Sequence, residues 1–208
     1  MIKSASEIRS AARATLSGHW TEAAMLTFVY CIVAWAFSAL VGGLEYVQQG
    51  LGTVATLLML PLSWGYTVTF LSNARGENDP FNVSRIFDGY KDFGRIFITI
   101  LLMQVYTFLW TLLFIIPGII KSLSYAMTPF VLRDNPEMKN NEAIELSMKM
   151  MNGHKGDLFW LYLTFIGWGI LCIITFGIGY FWFAPYVQAS TAQFYEEVKA
   201  EYEQKRER

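Results

Sequence analysis

The apolar residues of this chain are gathered into long runs between charged stretches rather than spread at amphipathic spacing. Over such runs the backbone must satisfy its own hydrogen bonds, which leaves helices or a closed barrel. The period-two alternation of a membrane barrel is absent, so the expected fold is all-α, a polytopic membrane helix bundle. Composition agrees, with 54% hydrophobic, 16% aromatic and only 16% charged residues. The formal net charge of -1 gives no reason to expect nucleic acid, because Lys and Arg flank the apolar runs instead of forming one patch. Cys31 and Cys172 both fall inside apolar runs, where sulfur behaves as a small hydrophobe.

Six spans are predicted, over residues 23–41, 51–71, 96–116, 119–132, 158–176 and 180–195. Gly42-Gly43, Pro117-Gly118 and Gly177-Ile178-Gly179 read as the turns that pair them into three hairpins. The fourth run is short, and a re-entrant path competes with a full crossing there. Arg75, Arg85, Lys91 and Arg95, and later Arg133, Lys139, Lys149 and Lys155, place the intervening segments inside. Both termini are then cytoplasmic. Short amphipathic surface helices are expected on that side, over 4–16, after Pro80 through Phe87, and over 136–151. Residues 196–208 carry mixed charges at helical spacing and read as a solvated extension of the last helix.

A phrase recurs where three of these spans begin: Gly18-His19-Trp20, Gly89-Tyr90-Lys91 and Gly153-His154-Lys155. Each follows a surface helix, and each hairpin behind it carries a proline in its second arm, at Pro61, Pro129 and Pro185. The chain 1–208 therefore reads as one integral membrane domain of repeat-like units, about 4–72, 80–133 and 136–198, with a pseudo-threefold axis along the membrane normal.

No paired carboxylates, ligand cluster or activated nucleophile emerges, so no catalytic residue, metal or cofactor is assigned. His19 and His154 invite a metal, but Tyr90 holds the third equivalent place and zinc needs more ligands; rings of an interfacial belt are the expected role. Gly18, Gly89 and Gly153 are expected to end the surface helices and turn the chain toward the bilayer. Lys121 and Glu45 are predicted partners near the outer ends, and Gln104 a cross-helix hydrogen-bonding group. The prolines would free carbonyls and kink the return arms. Gly65, Gly167 and Gly169 offer surfaces for close helix approach.

Ala12-Arg13 with Leu16, Gly18 and Trp20, Ile116-Pro117-Gly118-Ile119 with Tyr125, Ala143, Ser147, Met151, Gly153-His154, Gly167-Trp168, Gly177-Ile178-Gly179, Pro185-Tyr186 and Phe194-Tyr195 together resemble the bacterial integral-membrane family catalogued as domain of unknown function 975. The likeness covers nearly the whole chain. It implies a multi-span protein of the bacterial cytoplasmic membrane and no activity. In layout the chain is also loosely similar to the membrane domain fused to some glycerophosphodiester phosphodiesterases. The function expected from these readings is a non-enzymatic scaffold or accessory protein that sits in the lipid bilayer, binds a partner protein or lipid, and admits a homo-oligomer. The alternative is a small transporter or channel along the bundle axis.

Overall fold

The computed structural model of the chain describes residues 2–45 and 57–207. Among them every regular element is helical. The first helix, α1 (Ala5–Leu16), starts where a capping box closes it: Glu7 N donates to the Ser4 hydroxyl and Ser4 N donates to the Glu7 carboxylate at 2.7 Å. Those hydrogen bonds from Ser4 hold the Glu7 carboxyl below its ordinary range. Gly18, at φ +88°, ends this helix in the left-handed conformation that a side chain resists, and α2 (Trp20–Glu45) begins two residues later.

The remaining elements are α3 (Leu60–Ala74), a 3-10 segment (Val83–Tyr90), α4 (Phe93–Leu113), α5 (Ile115–Tyr125), α6 (Thr128–Asp134), α7 (Asn141–Met150), α8 (Lys155–Leu163), α9 (Ile166–Ile174) and α10 (Tyr180–Arg206). Among the described residues four stretches are long and apolar enough to cross a membrane, Trp20–Ala39, Phe93–Leu113, Ile115–Asp134 and Lys155–Ile174, which by length and composition makes this a membrane protein.

Several predicted boundaries move. Gly42-Gly43 does not break α2, which continues to Glu45; each glycine costs a helix only about 1 kcal/mol, too little to end one in a continuous apolar run. Pro117-Gly118 is not a turn either. The chain reverses one residue before α5, at extended Phe114, and Pro117 sits in the first turn of α5, where backbone N–H groups have no intrahelical acceptor anyway. The return stretch therefore runs over Ile115–Asp134, 20 residues rather than the short run expected. Half of its apolar window is buried, against 17% for the other three, so it lies toward the interior of the bundle. Lys155–Ile174 is interrupted at Thr164 and Phe165. The predicted span 51–71 lies outside the described residues up to 56, and its described helix Leu60–Ala74 has 15 residues. The surface helix expected from Pro136 starts only at Asn141.

The core collects at the charged end of the molecule. α1 runs antiparallel along α10: Lys3 pairs with Glu197, and the Arg13 guanidinium lies 5.7 Å from the centre of the Tyr186 ring. Ile8, Ala12 and Leu16 are buried in this arrangement. α2 continues in the same direction, with Trp20 against Tyr186 and Phe28 against Phe181. α6 is tied to α3 where Trp64 Nε1 donates to the Pro129 carbonyl at 2.9 Å, and to α10 where the Phe130 and Tyr195 rings stack at 5.1 Å. At the other end large apolar side chains are open, among them Trp35, Phe114, Ile173 and Phe176, the last 98% exposed. A soluble surface does not carry contiguous apolar area of this kind; lipid does cover it.

Candidate functional site

The charged end is ordered by two carboxylates and the arginines around them. Asp134, the last residue of α6, has a side chain only 7% exposed. Arg75, just past α3, grips both its oxygens at 2.7 Å, a bidentate geometry. Lys199 and the Tyr195 hydroxyl, both from α10, donate to the same carboxylate at 2.6 and 2.8 Å. Arg75 also donates to Glu196 at 2.8 Å. The hydrogen bonds to Asp134 raise the already high pKa of Arg75, which is a fixed cation.

Glu77 is the second hub. Arg133 Nη2 donates to it at 2.6 Å and Arg85 Nη1 at 3.1 Å. Burial pushes the Glu77 carboxyl up, but the bonds and charges of Arg85 and Arg133 outweigh it and hold the group below the usual carboxylate range. The same arginines reach further: Arg133 donates to the Val68 carbonyl at 2.8 Å and Arg85 to the Ser72 hydroxyl at 2.7 Å. Arg95, 15% exposed, points Nη1 at the Leu132 carbonyl, 3.2 Å away, near the C-terminus of α6, where carbonyls lack helical donors and favour a cation.

Beside this network runs a groove of about 580 Å³ between α7 and the end of α10. Met138, Leu146, Met150 and Tyr202 are its buried and half-buried lining, and Glu142, Glu145, Glu203 and Arg206 are its exposed lining, with Asp134 and Lys199 also on its wall. An apolar floor under a rim of both charge signs suits a polar–apolar segment of another protein. The residues 196–206 are thus only partly a solvated extension: Val198 is buried, and Glu196, Glu197 and Lys199 are engaged.

The sites predicted from sequence are dispersed. Gly18 and Gly153 share the left-handed conformation, at φ +88° and +94°, and His19 and His154 follow them in parallel, each with Nδ1 near the carboxylate three residues on. Those distances are 2.7 Å to Glu22 and 3.4 Å to Asp157, and His154 Nε2 also lies 3.4 Å from Glu201. Among the described residues no group of three or more His, Cys, Asp or Glu is placed to hold a metal. Gly89 works differently: a Cβ there would lie 2.2 Å from the Pro61 carbonyl oxygen. Tyr90 donates to the Leu58 carbonyl at 2.8 Å.

Pro61 and Pro129 do not kink a helix; they sit in the first turns of α3 and α6, where their missing N–H costs nothing, and only Pro185 lies inside a helix. The Lys121 ammonium lies 4.9 Å over the Trp110 ring, a cation–π contact. Its predicted partner Glu45 ends α2, and its side chain lies outside the described residues. Gln104 is exposed on a cleft of about 440 Å³ between α4 and α5 that also carries Thr107, Thr111 and Ser122. Gly65 does make the close approach expected of it, whereas nothing lies within 4 Å of a Cβ at Gly167 or Gly169.

Asp134 and Glu77 were not singled out by sequence, and their arginines were read only as signs of orientation. The signal for them was the acid beside each cation, Arg75-Gly76-Glu77 and Arg133-Asp134, which an orientation signal made of cations alone does not require. Fold and site together define an all-α membrane protein whose ordered charges, with a groove beside them, gather at one end. The chain matches the family described as protein of unknown function (DUF975) over residues 1–124 and 112–202, and it belongs to that family. No curated protein and no solved structure matches it.

Proposed function

We propose that this chain is a non-enzymatic, multi-pass scaffold of the bacterial cytoplasmic membrane, with both termini inside, that docks a helical segment of a partner protein in the groove between α7 and α10. The observation that carries this reading is the groove itself, with Leu146 and Tyr202 beneath Glu142, Glu145 and Arg206 on a body held rigid by the Asp134 network. A preorganised surface of mixed charge selects partners by complementarity. Six crossings in three hairpins fit the same picture. α1, the 3-10 segment and α7 lead into the three spans, and the pairing of α1 with α10 closes the first unit on the last.

Two experiments test the reading. With Cys31 and Cys172 replaced by alanine, a cysteine at Ile178 is expected to react with an impermeant maleimide from outside, and cysteines at Asn78 and Asn140 are not. Outside labelling at Asn140 would mean that Ile115–Asp134 fails to cross, and would remove the groove from the cytoplasm. A photoreactive amino acid at Tyr202 is expected to give a protein adduct of discrete mass in native membranes, lost in the variant Glu142→Lys/Glu145→Lys. Lipid adducts alone, or a protein adduct indifferent to charge reversal, would refute docking. The competing reading, a carrier or channel along the bundle, draws on the Gln104 cleft with the hydroxyls of Thr107, Thr111, Ser122 and Tyr125. The cation that would serve such a path, Lys121, is engaged by Trp110.

A further inference from the structure

A second site lies where the polar face of α1 gives way to the apolar start of α2. Arg13, on the exposed side of α1, has no ion-pair or hydrogen-bond partner among the described residues; its guanidinium contact is the Tyr186 ring at 5.7 Å. Tyr186 is 5% exposed, and its hydroxyl oxygen is buried without a hydrogen-bond partner among the described residues. The ring is a hub: Trp20 lies 6.3 Å, Phe165 5.2 Å and Trp168 6.4 Å from its centre. From Arg13 a cleft of about 290 Å³ continues between α9 and α10 past Trp168, Leu171, Cys172 and Trp182 to Gly179. Along α10, Gly179 to Tyr186 spans about 10 Å of axis.

The geometry points to a binding site for one anionic phospholipid, with the phosphate on Arg13 and an acyl chain laid in the cleft. Each part has its chemistry. An unpaired guanidinium matches phosphate geometry. Trp20, at the start of α2 beside Arg13, is the ring type that settles at the headgroup level. The long apolar wall accepts a chain and would repel a free, fully hydrated phosphate. This inference rests on the membrane placement of the proposed function and not on its partner groove.

Cys172 lines the cleft and Cys31 does not, so the native chain carries its own probe and control. In delipidated detergent-solubilised protein, dioleoyl phosphatidylglycerol is expected to slow alkylation of Cys172 by N-ethylmaleimide at least threefold and leave Cys31 unchanged. Dioleoyl phosphatidylcholine and inorganic phosphate are expected to protect far less. Arg13→Gln, on an exposed face, should abolish the difference between the two lipids while leaving the melting temperature in place. Equal protection by both lipids, protection by inorganic phosphate, or selectivity intact in Arg13→Gln would overturn the assignment. A failed cross-link at Tyr202 would leave this result standing, so the two proposals fail separately.

Discussion

Replacing Gly89 by alanine is expected to destabilise the detergent-solubilised protein by about 3 kcal/mol or more, and to reduce the folded fraction in membranes to a small residue. Overpacking a tight contact costs typically 1–3 kcal/mol and more when the neighbour cannot move. Here the added Cβ would stand 2.2 Å from the Pro61 oxygen and 2.8 Å from its carbonyl carbon, both backbone atoms at the opening turn of α3. Relief requires the 3-10 segment to leave α3. That separation would also pull on Gly65, whose own added Cβ would meet the Ile86 oxygen at 2.2 Å. Gly65→Ala should therefore match Gly89→Ala in effect. By contrast, Gly18→Ala and Gly153→Ala meet no atom within 4 Å and carry only the strain of positive φ, roughly 1–2 kcal/mol. Thermal unfolding followed by size-exclusion of a fluorescent fusion ranks the four. Equal losses at Gly18 and Gly89 would show that turn conformation, and not the packing of the 3-10 segment on α3, sets the cost.

These glycines also show how much of the fold can be read from sequence. The phrase Gly-ring-residue before a span marked three positions, and two of them share one left-handed backbone conformation. Gly89 was marked as well, but the cause of its requirement is a neighbour 28 positions earlier in sequence, which no local pattern reveals. The same division holds for the helices. Ser4 and Glu7 announce α1 because a capping box is local. Gly42-Gly43 and Pro117-Gly118 misled because in apolar surroundings a glycine or first-turn proline loses the competition with water that makes it a breaker elsewhere. The candidate site was the least legible part. Arg75 meets Asp134 across 59 positions and Glu196 across 121, so the cations read as signs of orientation while their pairing depended on packing α3, α6 and α10 together. Arg13 entered only as part of the Ala12-Arg13 pattern, since the ring beneath it comes from the far end of the chain.

Asp134→Ala is expected to cost about 3 kcal/mol, the lower end of the range for breaking a buried ion pair, because Arg75 and Lys199 keep side chains 28% and 29% exposed and can recover some hydration. The carboxylate accepts four hydrogen bonds from three residues, and its removal leaves two cations facing each other beside the Tyr195 hydroxyl. Asp134→Asn should lose nearly as much, since the amide keeps one acceptor oxygen and brings an N–H₂ toward Arg75. The informative variant is the triple Asp134→Leu/Arg75→Met/Lys199→Met. Replacing a whole buried ionic cluster with apolar residues is often neutral or stabilising, whereas removing one member is not. The triple should therefore regain most of the melting temperature lost in Asp134→Ala. If the cluster serves only to hold α3, α6 and α10 together, a photoreactive Tyr202 in the triple variant will still capture the partner. If the charges of Asp134 and Lys199 on the groove wall take part in docking, stability will return and capture will not. Stability lost to the same degree in the triple as in Asp134→Ala would contradict the assignment of the cost to an unpaired buried charge.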